Sequence, residues 1–385
     1  MIAAKPRKPD LAASMTTRVG RSSEETVYGA GSSPRLHESS NRVTMTRGRW
    51  SRCLALSCGL ALLTFWICVS FGTESIALSE IVDIVTQGIR GQLHQVTDPH
   101  AVIVWQVRVP RVLLACLVGG SLAMVGAALQ ALLRNPLADP FVIGISSGAA
   151  LGAAVALLFG LGVSFLQVSL LPACAFLGAL LSLTLVYRMA VTYGTFSIHT
   201  MLLAGVVLNA IFSALIMFLT SVADPDRAYG MYAWLMGTLT GPAFHTLAIL
   251  AAFLLIGFIV LTTQGRSLNV LTLGEEVARS LGVEVERVKR VVFLASALLT
   301  GTVVAFSGLI GFVGLIVPHA VRLLIGAEHR LVLIISGVAG GIFLMIADTV
   351  ARTVISPAEI PVGVVTALVG GPIFLYLLIN RRAAL

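Results

Sequence analysis

Long uncharged stretches alternate with short polar ones along most of this chain. A helix that crosses a bilayer needs about 20 apolar residues, and the uncharged stretches divide at roughly that length. Residues 53–73 and 112–133 each fit one crossing. The 48-residue run 140–187 carries no charge and is broken by Gly160, Gly162, Ser164 and Pro172, so it predicts two crossings with a tight turn between them. Further crossings are predicted near 201–222, 243–262, 291–306, 331–355 and 360–380. A short, glycine-rich eighth at 309–325 is interrupted by Pro318. The aromatic stretch 229–234 suits a membrane interface. The segments are continuously apolar and lack strand-like alternation, so they predict an all-α, ten-span membrane protein rather than a β-barrel.

The flanking charges orient this arrangement. With ten spans, 21 of the 26 Lys/Arg fall on the side that holds the N-terminal segment and 5 fall on the other. The positive-inside rule then puts both termini in the cytoplasm. Without the eighth span the C-terminus would move outside. The net charge of +8 is concentrated in residues 1–52, where 10 basic residues meet 4 acidic ones. The basic pI therefore belongs to this tail and predicts no nucleic-acid partner. The tail is rich in Ser, Thr and Arg and has no hydrophobic period. It is expected to be disordered, and the 53–73 stretch reads as a retained span rather than a signal peptide. Its acidic residues argue against a transit peptide, and Met45 is an alternative start. Residues 53–382 are expected to form one ten-helix transmembrane domain.

Composition agrees with the pattern. Hydrophobic residues make up 57% of the chain and charged residues 11%, with a mean hydropathy of +0.94. Soluble domains carry about 25% charged residues, so a soluble enzyme and a disulfide scaffold are both excluded. The five cysteines sit in apolar stretches without a CxxC and read as small hydrophobes. The seven histidines show no metal-ligand spacing. Gly148/Gly152 and Gly337/Gly341 stand at GxxxG spacing, which lets helices meet backbone to backbone.

Three features carry candidate chemistry. None of the three lysines (Lys5, Lys8, Lys289) follows a glycine, so there is no GxxxxGK[ST] phosphate loop. If ATP powers this protein, another subunit binds it. The polar 263–290 loop contains a short predicted helix from Glu275 to Leu281. Acids at its start and Arg279 near its end complement the helix dipole, Gly282 ends it, and Val277, Ala278 and Leu281 give it an apolar stripe. It is either a surface helix on the membrane or a docking surface for a cytoplasmic partner. On the outer side, Arg108 and Arg111 flank the second span against the positive-inside trend. They either snorkel to headgroups or receive carboxylates from an external protein. Arg352 lies four residues after Asp348, so an internal ion pair is its first explanation. Gly144–Gly148 spells G-x-S-x-G, but a nucleophile elbow needs a preceding strand and this run opens a membrane helix.

The runs RVPR (108–111), GAALQ (126–130), RNPLADP (134–140), GISSG (144–148), LLAG (202–205) and WLMG (234–237) resemble the permease subunits of FecCD-type ABC importers. The resemblance continues through LGEEVARSLG (273–282), SGLIGFVGLIVPH (307–319), ADTVAR (347–352) and EIPVG (359–363). It covers about residues 53–382 in order. Such permeases serve uptake of iron–siderophores, haem or cobalamin, and the resemblance implies ten helices per subunit and a second permease copy around a central path. It also implies a pair of cytoplasmic ATPases carrying ATP and Mg, an external substrate-binding protein, and no cofactor on this chain. Glu275, Ala278, Arg279 and Gly282 would belong to the coupling helix seated on the ATPase. Arg108, Arg111 and Arg352 would accept acidic residues of the binding protein. The fifth and tenth helices would line the path, and spans 2–5 would repeat as spans 7–10. Physics alone leaves an ion-driven secondary transporter as the rival, although Asp348 and Arg352 are the only deep ionisable candidates for it.

Overall fold

A computed structural model describes residues 47–92, 98–161, 170–192, 194–355 and 357–381. The expectation for the N-terminal tail therefore falls outside the described residues, except that 47–52 form the first turns of a helix.

The fold is built from helices. In chain order they are α1 (Arg47–Ser70), α2 (Leu78–Ile89), α3 (Pro99–Leu132), α4 (Ile145–Leu158) and α5 (Leu171–Ala190). A two-residue ribbon follows, β1 (Val191–Thr192) antiparallel to β2 (Thr195–Phe196). Then come α6 (Ile198–Val222), α7 (Pro225–Leu235), α8 (Phe244–Thr263), α9 (Gly265–Leu271), α10 (Glu275–Ser280), α11 (Val285–Ser307), α12 (Val313–Ile325), α13 (His329–Thr353) and α14 (Val362–Arg381). Among the described residues, seven helices are long and apolar enough to cross a membrane. Three shorter apolar ones stand beside them, at Ile145–Leu158, Val313–Ile325 and Val362–Tyr376.

The second predicted span is much longer than its apolar run. It begins at Pro99, and its residues Val102–Arg108 form a π-helical stretch. The wide turn ends just before Pro110, which has no N–H to hold an α-turn onto the preceding residues. Three short elements were not legible in the hydropathy: α2, α9 and the β1–β2 ribbon. The aromatic stretch expected at an interface is itself helical, as α7. Cys58 faces outward on α1 instead of being buried, while Cys68 is fully enclosed.

Hydrocarbon surroundings give helices no hydrophobic reason to associate, so close van der Waals packing has to do it. α3 sits at the centre and is the most buried of the spans. A Cβ at Gly119 would lie 2.6 Å from Leu344 Cβ, and one at Gly120 would lie 2.8 Å from the Gly337 carbonyl oxygen, so α3 and α13 meet along their backbones. Gly148 and Gly152 do the same against Gly178 and Cys174 on α5. The two shortest of the ten apolar helices start alike. Gly144 before α4 and Phe312 before α12 both adopt left-handed backbone, with φ of +84° and +69°.

Candidate functional site

Three clusters gather the residues singled out by sequence, one at each end of the bundle and one within it. The first cluster forms where α1 ends. The last carbonyls of a helix have no partner inside it, and here two guanidiniums from other helices supply them. Arg108 Nη1 donates to Val69 O (3.2 Å) and Ser70 O (3.3 Å), and its Nη2 donates to Glu74 O. Arg352 donates to Phe71 O (2.9 Å) and Cys68 O (2.6 Å). Positive charge at a helix C-terminus also complements its dipole. Arg108 and Arg352 are 3% and 5% exposed, so both are committed inward. Gly72 makes room, since a Cβ there would lie 2.5 Å from the Arg108 guanidinium.

Asp348 joins this cluster, completely buried. The i,i+4 ion pair expected from sequence exists, with Arg352 Nε 3.4 Å from Asp348 Oδ2. The closer partner is Arg111, whose Nε and Nη2 both approach Asp348 Oδ1 at 3.0 Å. Arg111 also donates to Glu359 at 2.9 Å, and Glu359 is 53% exposed at its side chain. Of the three arginines, Arg111 is therefore the one connected to the surface, through a glutamate that the sequence reading did not single out.

Within the bundle, the remaining motifs touch one another. Gly144 of GISSG approaches Gly205 of LLAG, where a Cβ would lie 2.9 Å from the Gly205 oxygen. Ser147 and Ser182 hydroxyls both donate to the Gly144 carbonyl at 2.8 Å. Ser146 is buried in the first turn of α4, not on a strand-to-helix elbow. Gly363 packs on the Leu309 carbonyl, and Thr238 N donates to Ser307 O (2.9 Å), which joins EIPVG, WLMG and SGLIG. Gln130 donates to Ala138 O, Gly314 O and Leu315 O, tying the RNPLADP loop to α12. In that loop Asp139 caps Phe141 N at 2.8 Å, and burial pushes its carboxyl above the ordinary carboxylate range while that hydrogen bond pulls it partly back.

At the opposite end, α10 is the short helix expected at Glu275. Val283 N donates to Ala278 O (3.0 Å) and Gly282 N donates to Arg279 O (3.0 Å), the paired bonds of a Schellman ending. Gly282 has φ +81° with open space around its Cα, so its backbone conformation alone calls for glycine. Ala278 is fully buried, which splits the apolar stripe read from sequence. The outward face consists of Leu273, Val277 and Leu281, exposed by 65, 43 and 63%. Glu275 pairs with Arg279 at 3.2 Å and with Lys289 at 3.3 Å. Beside it, an open groove of about 640 Å³ is lined by Val283, Val285 and Val291 together with the side chains of Arg279, Glu284, Glu286, Arg287 and Arg290.

Comparison with known proteins sets these clusters in context. The sequence profile of the FecCD transport family matches residues 60–380. The cobalamin import system permease protein BtuC of Halobacterium salinarum is 45% identical over 287 residues, covering 74% of this chain and 76% of that protein. The hemin transport system permease protein HmuU of Yersinia pestis is 42% identical over 282 residues, covering 72% and 84%. An inward-facing ABC transporter, assigned to the metal-chelate type, superimposes with a TM-score of 0.72 at 32% identity, over 86% of this chain and 99% of its own.

Proposed function

This chain belongs to the FecCD transport family, and from that premise we propose that it is the membrane half of an ATP-driven importer for a bulky metal chelate of the iron–siderophore, haem or cobalamin type. It is a multi-pass protein of the cytoplasmic membrane and works in transport. Its ten apolar helices are ten spans with both termini in the cytoplasm, as the distribution of basic residues favours. The two short spans fit because the turns before them are partly buried in protein, at Ile143 and Gly144 and at Gly308 and Ile310, where membrane depth tolerates irregular backbone.

The observation that carries the reading is the pairing of an exposed apolar helix face on α10 with a groove beside it that combines valines with charged side chains, on the side richest in basic residues. A cytoplasmic ATPase subunit seats there, with ATP and Mg bound on that partner. On α6 and α14, Leu203, Ile211, Leu368 and Ile373 stay open to the outside of the chain. They suit the wall of a central path shared with a second permease copy. Such walls grip a chelate weakly, so selection falls to the external binding protein. ATP-driven closure of the partner subunits rocks the two permease copies and opens the path to one side at a time.

Docking of the binding protein takes a narrower form than the three arginines suggested. Arg108 and Arg352 shape the outer face from beneath, and Arg111 is the group within reach, screened by Glu359. Glu359→Gln should then expose Arg111 to the binding protein's carboxylates and raise the capture rate several-fold at low ionic strength, fading as salt is raised. An unchanged association rate by surface plasmon resonance would remove this patch from the interface.

The decisive assay is uptake of labelled cobalamin, haemin and a ferric siderophore into proteoliposomes. Accumulation of one of them is expected only with ATPase subunit, binding protein and ATP all present. Accumulation by this chain alone under an ion gradient would favour a secondary transporter instead. In the full assembly, Gly282→Pro should leave ATP hydrolysis running while uptake falls by about tenfold or more, because proline has neither the N–H nor the φ this position uses. Glu275→Arg, facing Lys289 and Arg279, should act in the same direction.

A further inference from the structure

Lys289 is the one lysine of this chain beyond residue 8, and it is 4% exposed. A buried ammonium is costly unless it is paired and hydrogen-bonded, and this one is held from three directions. Its Nζ lies 2.7 Å from Glu286 Oε1, one turn earlier on α11. It lies 3.3 Å from Glu275 Oε2 on α10. It donates to Phe196 O at 2.9 Å, on β2. Glu286 completes the circuit by accepting from Phe196 N at 2.6 Å. Both backbone groups of Phe196 are thus held by a single ion pair.

Phe196 is positioned to pass displacement onward. Its ring is buried against Phe293 (5.3 Å between centroids) and Tyr187 (6.3 Å), so the residue moves with its surroundings. The next residue, Ser197, is the N-cap of α6, accepting from Thr200 N at 3.2 Å. One continuous set of polar contacts therefore runs from Glu275 on α10 through Lys289 to the first turn of α6. The ribbon has a separate tether, since the Arg290 guanidinium donates to Gly194 O.

We infer that Lys289 is a positioning residue that links the coupling helix α10 to α6 through Phe196, so that a displacement of α10 is passed into α6. The inference rests on the coupling role proposed for α10 and goes beyond it by naming the route. Chemistry supports a transmitting role over a merely stabilising one: the ion pair spans three elements, and two of its three carboxylate and carbonyl partners lie on segments other than its own helix.

The test uses the complete transporter in inside-out vesicles, with the native cysteines replaced and a single reporter cysteine at Glu276 (on α10, off the Leu273–Val277–Leu281 face) or at His199 (start of α6), both exposed. Labelling by a membrane-impermeant maleimide is measured with and without ATP plus vanadate. In the parent protein both rates are expected to change on trapping. With Lys289→Met the Glu276 reporter's response should persist while the His199 response falls about tenfold, and Lys289→Arg should restore it. A merely structural lysine would alter resting rates yet leave the His199 response intact, and that result overturns the inference. If Lys289→Met does not assemble, Glu275→Ala cuts the α10 end of the bridge and leaves Lys289 on Glu286 and Phe196, with the same loss expected. Absence of a response at the Glu276 reporter in the parent protein would instead overturn the coupling role of α10, and this inference with it.

Discussion

Gly126→Val should abolish a stably folded permease. A Cβ at this position of α3 would overlap the Gly314 carbonyl oxygen and lie 2.6 Å from Gly314 Cα on α12. Backbone cannot rotate away as a side chain can, so the two helices must separate. Overpacking a tight core costs about 1–3 kcal/mol where side chains yield. Here the obstacle is main chain, and the loss should reach about 4–5 kcal/mol, the range reserved for severe lesions. Size-exclusion profiles of detergent extracts, together with the midpoint of thermal unfolding, measure it. Gly59→Val on α1 is the control: nothing lies within 4 Å of the added atom, so its effect should stay below about 1 kcal/mol. Equal behaviour of the two variants would refute backbone contact as the basis of α3 packing.

Asp348→Ala should be the most damaging single change in the arginine cluster at the end of α1. It removes the carboxylate shared by Arg111 and Arg352 and leaves like charges facing each other in a buried site. Breaking a buried pair by deleting one partner typically costs about 3–5 kcal/mol. The loss should also loosen the end of α1, because Arg352 is what caps Cys68 O and Phe71 O. Amide hydrogen exchange at residues 68–71 should rise along with the fall in unfolding midpoint. Glu359→Ala removes the other partner of Arg111, but at an exposed site, and should cost less than about 1 kcal/mol. A variant lacking Asp348 that melts with the parent protein would show that Arg352 is held by the α1 carbonyls and Arg111 by Glu359 without it.

Much of the architecture was legible because a bilayer imposes a length and a polarity on each segment. The uncharged runs mark most helices to within a few residues, and the short helix at 275–280 announced itself through its end charges and Gly282. The long start of α3 was hidden because 99–108 carries Gln106 and Arg108, which lower the local hydropathy without breaking the helix. The ribbon at 191–196 has two-residue strands, too short for any period to show. Lys289 left only a faint local mark, its i,i+3 spacing from Glu286. Nothing in the sequence ties either residue to Phe196, some 90 positions away.

Read alone, the chain established a helical membrane protein with no nucleotide-binding loop of its own and with a set of motifs shared with one transport family. Those are properties of segments and of composition, and segments are written consecutively. Tertiary structure decided what each charged group does: that Arg108 and Arg352 turn inward to end α1, that Arg111 meets a carboxylate 237 positions away, that Ala278 faces in while Val277 and Leu281 face out. The reason is that a buried charge settles wherever carbonyls and carboxylates converge on it, and such convergence comes from distant helices crossing at glycines rather than from any spacing along the chain.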